Sequence, residues 1–145
     1  MKILLPVDGS DYTKRMLGYV AAHDELFGPA HEYTVFTAVA PIPAHAARFL
    51  DGKMLSTYYD EQAESVLRPV RKFADQHQWK VSVVHVHGYA AEAIAALAEE
   101  SHPDLIVMGT HGHSALGNVG LGSVANGRHS RTWYGSMRRA AACRC

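Results

Sequence analysis

The chain has 145 residues, which suits a single domain that is long enough to bury a sizeable apolar core. Lysine plus arginine balances aspartate plus glutamate at 14 each, so the overall charge gives no reason to expect nucleic acid or an acidic membrane as a partner. No apolar run approaches the roughly 18 residues that span a bilayer, and the start lacks the core of a signal peptide, so we expect a cytoplasmic protein. Both cysteines, Cys143 and Cys145, lie near the end, which argues against a disulfide framework.

The first part of the chain predicts a strand, a helix and a second strand. Ile3 to Val7 is a short apolar run before Asp8-Gly9-Ser10, which is typical of a buried strand followed by a turn. Apolar residues at helical spacing then predict a helix that Ser10 or Asp11 caps and Gly28-Pro29 closes. Tyr33 to Val39, rich in β-branched and aromatic residues, predicts the second strand.

The alternation continues along the chain. Tyr58 to His77 has a helical pattern that Pro69 should kink or interrupt. Trp79 to Val86 predicts a third strand, Ala91 to Glu100 a helix, and Leu105 to Met108 a fourth strand. Strands that alternate with helices indicate right-handed crossovers and an open parallel sheet with helices on both faces, which is a three-layer α/β/α fold.

The segment GTHGHSALGNVGLGS, residues 109–123, has five glycines directly after the fourth predicted strand. Glycine in a packed element costs roughly 0.5 to 1 kcal/mol relative to alanine, so this density suggests that a ligand such as phosphate approaches the backbone closely. Two familiar glycine patterns fail here. Gly117 to Ser123 lacks the lysine of a phosphate loop, and Gly120 to Ala125 neither follows the first strand nor precedes an acidic residue, as a dinucleotide motif requires.

A third pattern, Gly109-x2-Gly112-x9-Gly122-Ser123, occurs together with Pro6-Val7-Asp8 in MKILLPVDGS, with HPDLIVMGTHGHS and with GSVA. These segments resemble the nucleotide-binding branch of the universal stress protein family, from residue 1 to about 126. The resemblance implies a five-stranded parallel sheet in the order 3-2-1-4-5, frequent pairing as dimers, and ATP as the ligand, with Mg²⁺.

The resemblance also implies roles for individual positions. Asp8 would meet the ribose or a metal-linked phosphate, which makes it the candidate metal ligand, and Ala38 or Val39 would line the adenine pocket. The phosphates would be held by Gly109, Gly112, Gly122 and Ser123. The full set of expected ATP-binding residues is Pro6, Val7, Asp8, Ala38, Val39, Met108, Gly109, His111, Gly112, His113, Gly122, Ser123 and Val124.

General rules for parallel sheets point to the same residues. In an open parallel sheet the ligand lies beyond the carboxyl ends of the strands, where neighbouring connections leave toward opposite faces. Asp8 ends the first predicted strand and Gly109 ends the fourth, so both flank one crevice if these strands are adjacent. The bare N–H groups of the glycine segment and of the helix predicted to begin at Ser123 would then face phosphate oxygens.

Other polar side chains leave two interpretations open. His111 and His113 either hydrogen-bond a phosphate or face solvent. His85 and His87 share one face of a strand and could chelate a transition metal, but no third ligand is identifiable. The Tyr58-Tyr59 pair is interpreted as packing or as part of a lid. No recognisable nucleophile or carboxylate pair predicts a dedicated enzyme, although slow hydrolysis of bound ATP stays open.

The end of the chain departs from the family pattern. Residues 1–126 form the predicted nucleotide-binding domain, and residues 127–145 form an atypical tail with five arginines and no acidic residue. The tail has no apolar run able to form a buried strand, so the usual fifth strand, and dimerisation through it, are doubtful. We therefore predict the strand order 3-2-1-4 and a homo-oligomer whose mode of pairing stays open.

Taken together, these features predict a universal stress protein that binds ATP and acts as a nucleotide-dependent stress-response regulator. Two alternatives remain. One is an enzyme of the related nucleotide α-hydrolase type that uses ATP to activate a substrate. The other is an interaction module in which the altered tail abolishes nucleotide binding.

Overall fold

The computed structural model describes residues 1–109 and the backbone of residues 140–143. The five strands form one sheet in the order β3-β2-β1-β4-β5, and every pair of neighbours is parallel. The predicted α/β class and the order 3-2-1-4 are therefore confirmed. In chain order the elements are β1 (Lys2–Pro6), α1 (Asp11–Ala22), α2 (Asp24–Phe27), β2 (Glu32–Val39), α3 (Ala44–Ala47), α4 (Gly52–Gln76), β3 (Lys80–His87), α5 (Ala90–Ser101), β4 (Leu105–Gly109) and β5 (Ala140–Cys143).

The sheet has a separate apolar core on each face. Leu4 and Leu5, which are consecutive in β1, are both buried and point to opposite faces. Leu5 packs in a cluster with residues of α1 and α4, including Leu67, and Leu4 packs in a smaller cluster with α5, including Ile94. Helices cover both faces of β1 and β4, and these strands are continuous apolar runs, whereas β3, at the edge of the sheet, largely alternates between apolar and polar residues.

Most predicted elements are confirmed with ends shifted by a single residue, but some helices differ more than this. The helix predicted from Tyr58 already begins at Gly52, because the Asp51 side chain caps it by accepting the Met54 N–H at 2.7 Å. Pro69 does not interrupt this helix and costs it one main-chain hydrogen bond.

The first predicted helix, expected to close at Gly28-Pro29, instead ends at Ala22, and His23 separates it from the short helix α2. The helix α3 escapes prediction, since four residues are too few to display a helical period.

The prediction that the tail supplies no fifth strand is wrong. Ala140–Cys143 runs parallel to β4, with Ile106 paired to Ala140 and Gly109 paired to Cys143. The prediction required bulky apolar side chains, whereas the edge of β4 requires main-chain partners for its N–H and C=O groups. The sequence AAAC contains neither proline nor glycine, so its backbone can provide them.

Candidate functional site

The strands β1 and β4 are parallel neighbours, about 4.8 Å apart as is usual in a sheet, with Ile3 paired to Leu105 and Leu4 paired to Ile106. The observed pairing, continued along both strands, puts Pro6 beside Met108 and Val7 beside Gly109. Asp8, two residues beyond the end of β1, therefore comes directly after the residue that this register sets beside Gly109, the end of β4. The chain leads from β1 to β2 on one side and from β4 to β5 on the other, so the strand order reverses here. Such a switch point is where open parallel sheets bind ligands.

A tight turn fixes the direction of the Asp8 carboxylate. Its Oδ1 accepts hydrogen bonds from the Ser10 N–H at 3.0 Å and from the Thr13 hydroxyl at 2.8 Å. Gly9, between Asp8 and Ser10, has a φ of +76°, in the left-handed region that favours glycine. Asp8 is half-buried, so its carboxylate is held by protein donors and still borders solvent. The turn predicted at Asp8-Gly9-Ser10 is therefore confirmed, and a ligand role for Asp8 is compatible with this geometry.

Thr13 is the residue of this site that sequence reasoning missed. It is buried, and its hydroxyl accepts the Asp8 N–H at 3.1 Å while donating to the Asp8 carboxylate. Its own N–H donates to Ser10 Oγ at 3.4 Å, which confirms Ser10 as the cap of α1. The signal is present in the spacing D-x-S-x-x-T, because side chains of these types bond to nearby main-chain groups at helix starts.

The two positions predicted beside adenine point in opposite directions. Ala38 packs with the α5 cluster that includes Met108, and Val39 packs with the α1 and α4 cluster that includes Val7. Both are half-buried at the end of β2. A base that lies against this strand end would therefore contact only one of these two side chains directly. The remaining predicted residues lie outside the described part of the chain: His111, Gly112, His113, Gly122, Ser123 and Val124.

Comparison with known proteins identifies the family. The model of the universal stress protein family matches residues 1–127. The chain belongs to this family. Universal stress protein MJ0531 of Methanocaldococcus jannaschii is 31% identical over 128 residues, which cover 86% of this chain and 72% of the relative. The fold is similar to the solved structure of hypothetical protein MJ0577 from the same organism, with a TM-score of 0.74, 24% identity, and coverage of 99% of this chain and 96% of that chain.

Two structures of universal stress proteins with similar folds contain nucleotides. A family member from Arabidopsis thaliana, solved with AMP bound, is 12% identical at a TM-score of 0.59, over 79% of this chain and 80% of that chain. A universal stress protein in complex with cAMP is 21% identical at a TM-score of 0.52, over 80% of this chain and 77% of that chain. These similarities concern the fold, and the nucleotides are those of the two relatives.

The histidines of β3 contact aromatic and acidic side chains of α4. His85 Nε2 lies 3.4 Å from Asp60 Oδ1, and the His87 ring stacks on Tyr59 with centroids 5.0 Å apart. Within residues 1–109 no group of three or more histidine, cysteine, aspartate or glutamate side chains is arranged to hold a metal ion. Over the same residues, no helix combines the length and apolarity needed to cross a membrane.

Proposed function

We propose that this universal stress protein binds ATP, together with Mg²⁺, in the crevice between the carboxyl ends of β1 and β4. The observation that carries the proposal is the position of Asp8, whose carboxylate is fixed by Ser10 and Thr13 beside the residue at which β4 ends. A carboxylate at a switch point suits the hydroxyl groups of a ribose or a metal ion bound to phosphate. The two nucleotide-bound relatives support adenine nucleotides as the ligand class.

The chemistry of the described residues fits a magnesium ion that arrives with the nucleotide. Mg²⁺ in nucleotide sites keeps several waters and takes only one or two carboxylates besides phosphate oxygens. Asp8 offers one such carboxylate. Bound Mg²⁺ would neutralise phosphate charge.

The phosphate side of the site belongs to the glycine segment. We assign phosphate contacts to Gly109, Gly112, Gly122 and Ser123, with His111 and His113 as additional donors and Val124 beside them. Gly109 ends β4, so the chain enters this segment at the crevice itself. Main-chain N–H groups without side chains in the way suit phosphate oxygens.

The proposed biological role rests on membership of the family. Residues 1–126 would act as the nucleotide-binding domain of a stress-response regulator in the cytoplasm, which responds to ATP by changing its interactions.

We also propose that two copies associate, and β5, at the edge of the sheet, provides a strand through which they can pair. Analytical ultracentrifugation tests this association, and a concentration-independent monomer mass would refute it.

Calorimetric titration with Mg·ATP tests the proposed site. We expect saturable binding, and we expect Asp8→Asn to weaken it at least about tenfold, since one lost charged contact is worth about 1.4 kcal/mol or more. Asp75→Asn is the matched control, because it makes the same change at an exposed position. Asp75 lies near the end of α4, just before the chain enters the amino end of β3. Binding absent at millimolar ATP would reject the proposal and favour the interaction module. Equal affinities for both variants would remove Asp8 from the site.

A further inference from the structure

The chain segment that follows β2 is tethered through one main-chain donor. This strap, Pro41-Ile42-Pro43, has prolines at both ends, and proline has no N–H group. Ile42 therefore provides the only main-chain donor of the strap. Its N–H donates to the hydroxyl of Tyr59, in α4, with an N···O distance of 3.1 Å. One hydrogen bond thus joins the strap to the helix.

The Tyr59 ring is itself held between neighbours. The imidazole of His87 stacks on it, with a centroid distance of 5.0 Å and an interplanar angle of 16°. Tyr58 contacts it edge-on at 5.7 Å. The residue after His87, Gly88, donates its N–H to the Val39 carbonyl at 2.9 Å. The end of β3 therefore supports the end of β2 directly and the strap through Tyr59.

In the proposed site, the end of β2 forms the wall beside the base, and the strap follows this wall along the chain. It begins two residues after Val39, and Ala38 and Val39 are the positions assigned to the adenine base. The rings of Pro41 and Pro43 fix their φ angles near −65°, so the strap has little freedom of its own. A stiff segment needs only one well-placed bond to take a single direction. Loss of that bond would release the wall as a unit.

We propose that Tyr59 is a positioning residue of the nucleotide site, whose hydroxyl holds the strap in place so that the wall at the end of β2 fits a planar base such as adenine. Tyr59 acts through Ile42 and through no contact of its own with the nucleotide. This inference rests on the proposed ATP site and extends it to the recognition of the base.

Tyr59→Phe tests the tether, and Tyr58→Phe is its matched control. Both variants lose one phenolic hydroxyl from neighbouring positions of α4. Within the described residues the Tyr58 hydroxyl makes no hydrogen bond, whereas the Tyr59 hydroxyl accepts one. We expect amide hydrogen exchange at Ile42 to accelerate about tenfold or more in Tyr59→Phe and to stay unchanged in Tyr58→Phe. The proton shifts of the His87 ring should be the same in both variants, because the stacked ring is retained.

Binding measurements then separate positioning of the base from general loss of structure. We expect Tyr59→Phe to weaken Mg·ATP binding about 3- to 10-fold, and to leave the binding of inorganic tripolyphosphate unchanged, because only the base side of the site is released. A purely structural defect would weaken both ligands. His87→Ala, which removes the stacking partner and keeps the hydroxyl, should weaken ATP in the same direction, and it serves if Tyr59→Phe does not fold.

The outcomes distinguish this inference from the proposed function. If the unsubstituted protein binds no ATP, the proposed site is wrong and the role of Tyr59 falls with it. If the protein binds ATP and Tyr59→Phe binds it equally well despite faster exchange at Ile42, the site stands and the positioning role is refuted. Unchanged exchange at Ile42 in Tyr59→Phe would refute the tether itself.

Discussion

The positions of the side chains around Asp8 depend on the backbone conformation of one residue, Gly9. Gly9 adopts a φ of +76°, and a Cβ at this position would lie 3.3 Å from Val66 Cγ2 of α4. An alanine in the left-handed region costs about 1 to 2 kcal/mol, and relief of that strain would turn the Asp8 carboxylate away from Ser10 and Thr13. We therefore expect Gly9→Ala to lower the free energy of unfolding by about 1 to 2 kcal/mol and to weaken ATP binding. Urea denaturation and calorimetry measure the two effects.

Gly18→Ala provides the control for Gly9→Ala. Gly18 lies exposed in α1, and a Cβ there would meet nothing within 4 Å. Alanine is the better helix former by about 1 kcal/mol, so this variant should be more stable than the original protein. A Gly9→Ala protein as stable as Gly18→Ala would show that the turn is not constrained as the structure indicates.

The sequence allowed part of this site to be predicted and left part of it hidden. Asp8 is predictable because it directly follows an apolar run, and the carboxyl end of a parallel strand is where ligands bind. Thr13 is missed because its role is to hold Asp8, and a threonine in a helix has many ordinary explanations. The bond from Ile42 to Tyr59 joins residues 17 apart in the chain, and only the packing of α4 brings them together.

At the scale of helices and strands, β2 is joined to the end of α2 by hydrogen bonds from one buried side chain, Tyr33. The Tyr33 hydroxyl donates to the carbonyls of Phe27 and Gly28 at the end of α2, and the ring stacks on Trp79. Burial, with a smaller contribution from the charge of Asp24, raises the pKa of Tyr33 from 10.0 to about 12. We expect Tyr33→Phe to keep the stack and to lower the free energy of unfolding by about 1 to 2 kcal/mol near neutral pH.

The loss of unfolding free energy in Tyr33→Phe should become smaller at high pH. Because the pKa of Tyr33 is higher in the folded protein than in the unfolded chain, its protonated hydroxyl contributes its full stabilisation below pH 10. This contribution is lost as the pH rises through about 12. The difference in stability between the original protein and Tyr33→Phe should therefore shrink across this range. Denaturant unfolding of both proteins at several pH values measures it, and a difference that stays constant would contradict the raised pKa.

The fifth strand illustrates why elements are harder to predict than fold class. Residues 1–109 carry apolar patterns that indicate the four strands β1 to β4 and the longer helices α1, α4 and α5. β5 has no such pattern, because its place is set by main-chain pairing with the edge of β4. Likewise, α4 begins early because Asp51 caps it, and a cap is a single side chain rather than a period.

For the protein as a whole, the carboxyl ends and the amino ends of the strands, called here the carboxyl edge and the amino edge of the sheet, offer different environments. The carboxyl edge carries Asp8, the end of β4 and the strap held by Tyr59. The amino edge carries an open cavity of about 640 Å³ whose lining includes Lys2, Glu32 and Lys80, with charges of both signs. Lysines alone would attract phosphate at the amino ends of the strands, whereas the switch point, where open parallel sheets bind ligands, lies at the carboxyl ends.

The most direct test of the nucleotide site is a map of amide shifts in the ¹⁵N–¹H NMR spectrum during titration with Mg·ATP. Within residues 1–109, the proposed site predicts that the largest changes occur at Asp8, Gly9, Val39 and Gly109, which lie at or just beyond the carboxyl ends of β1, β2 and β4. Changes confined to the amino edge, around Lys2 and Lys80, or no change at millimolar nucleotide, would contradict it.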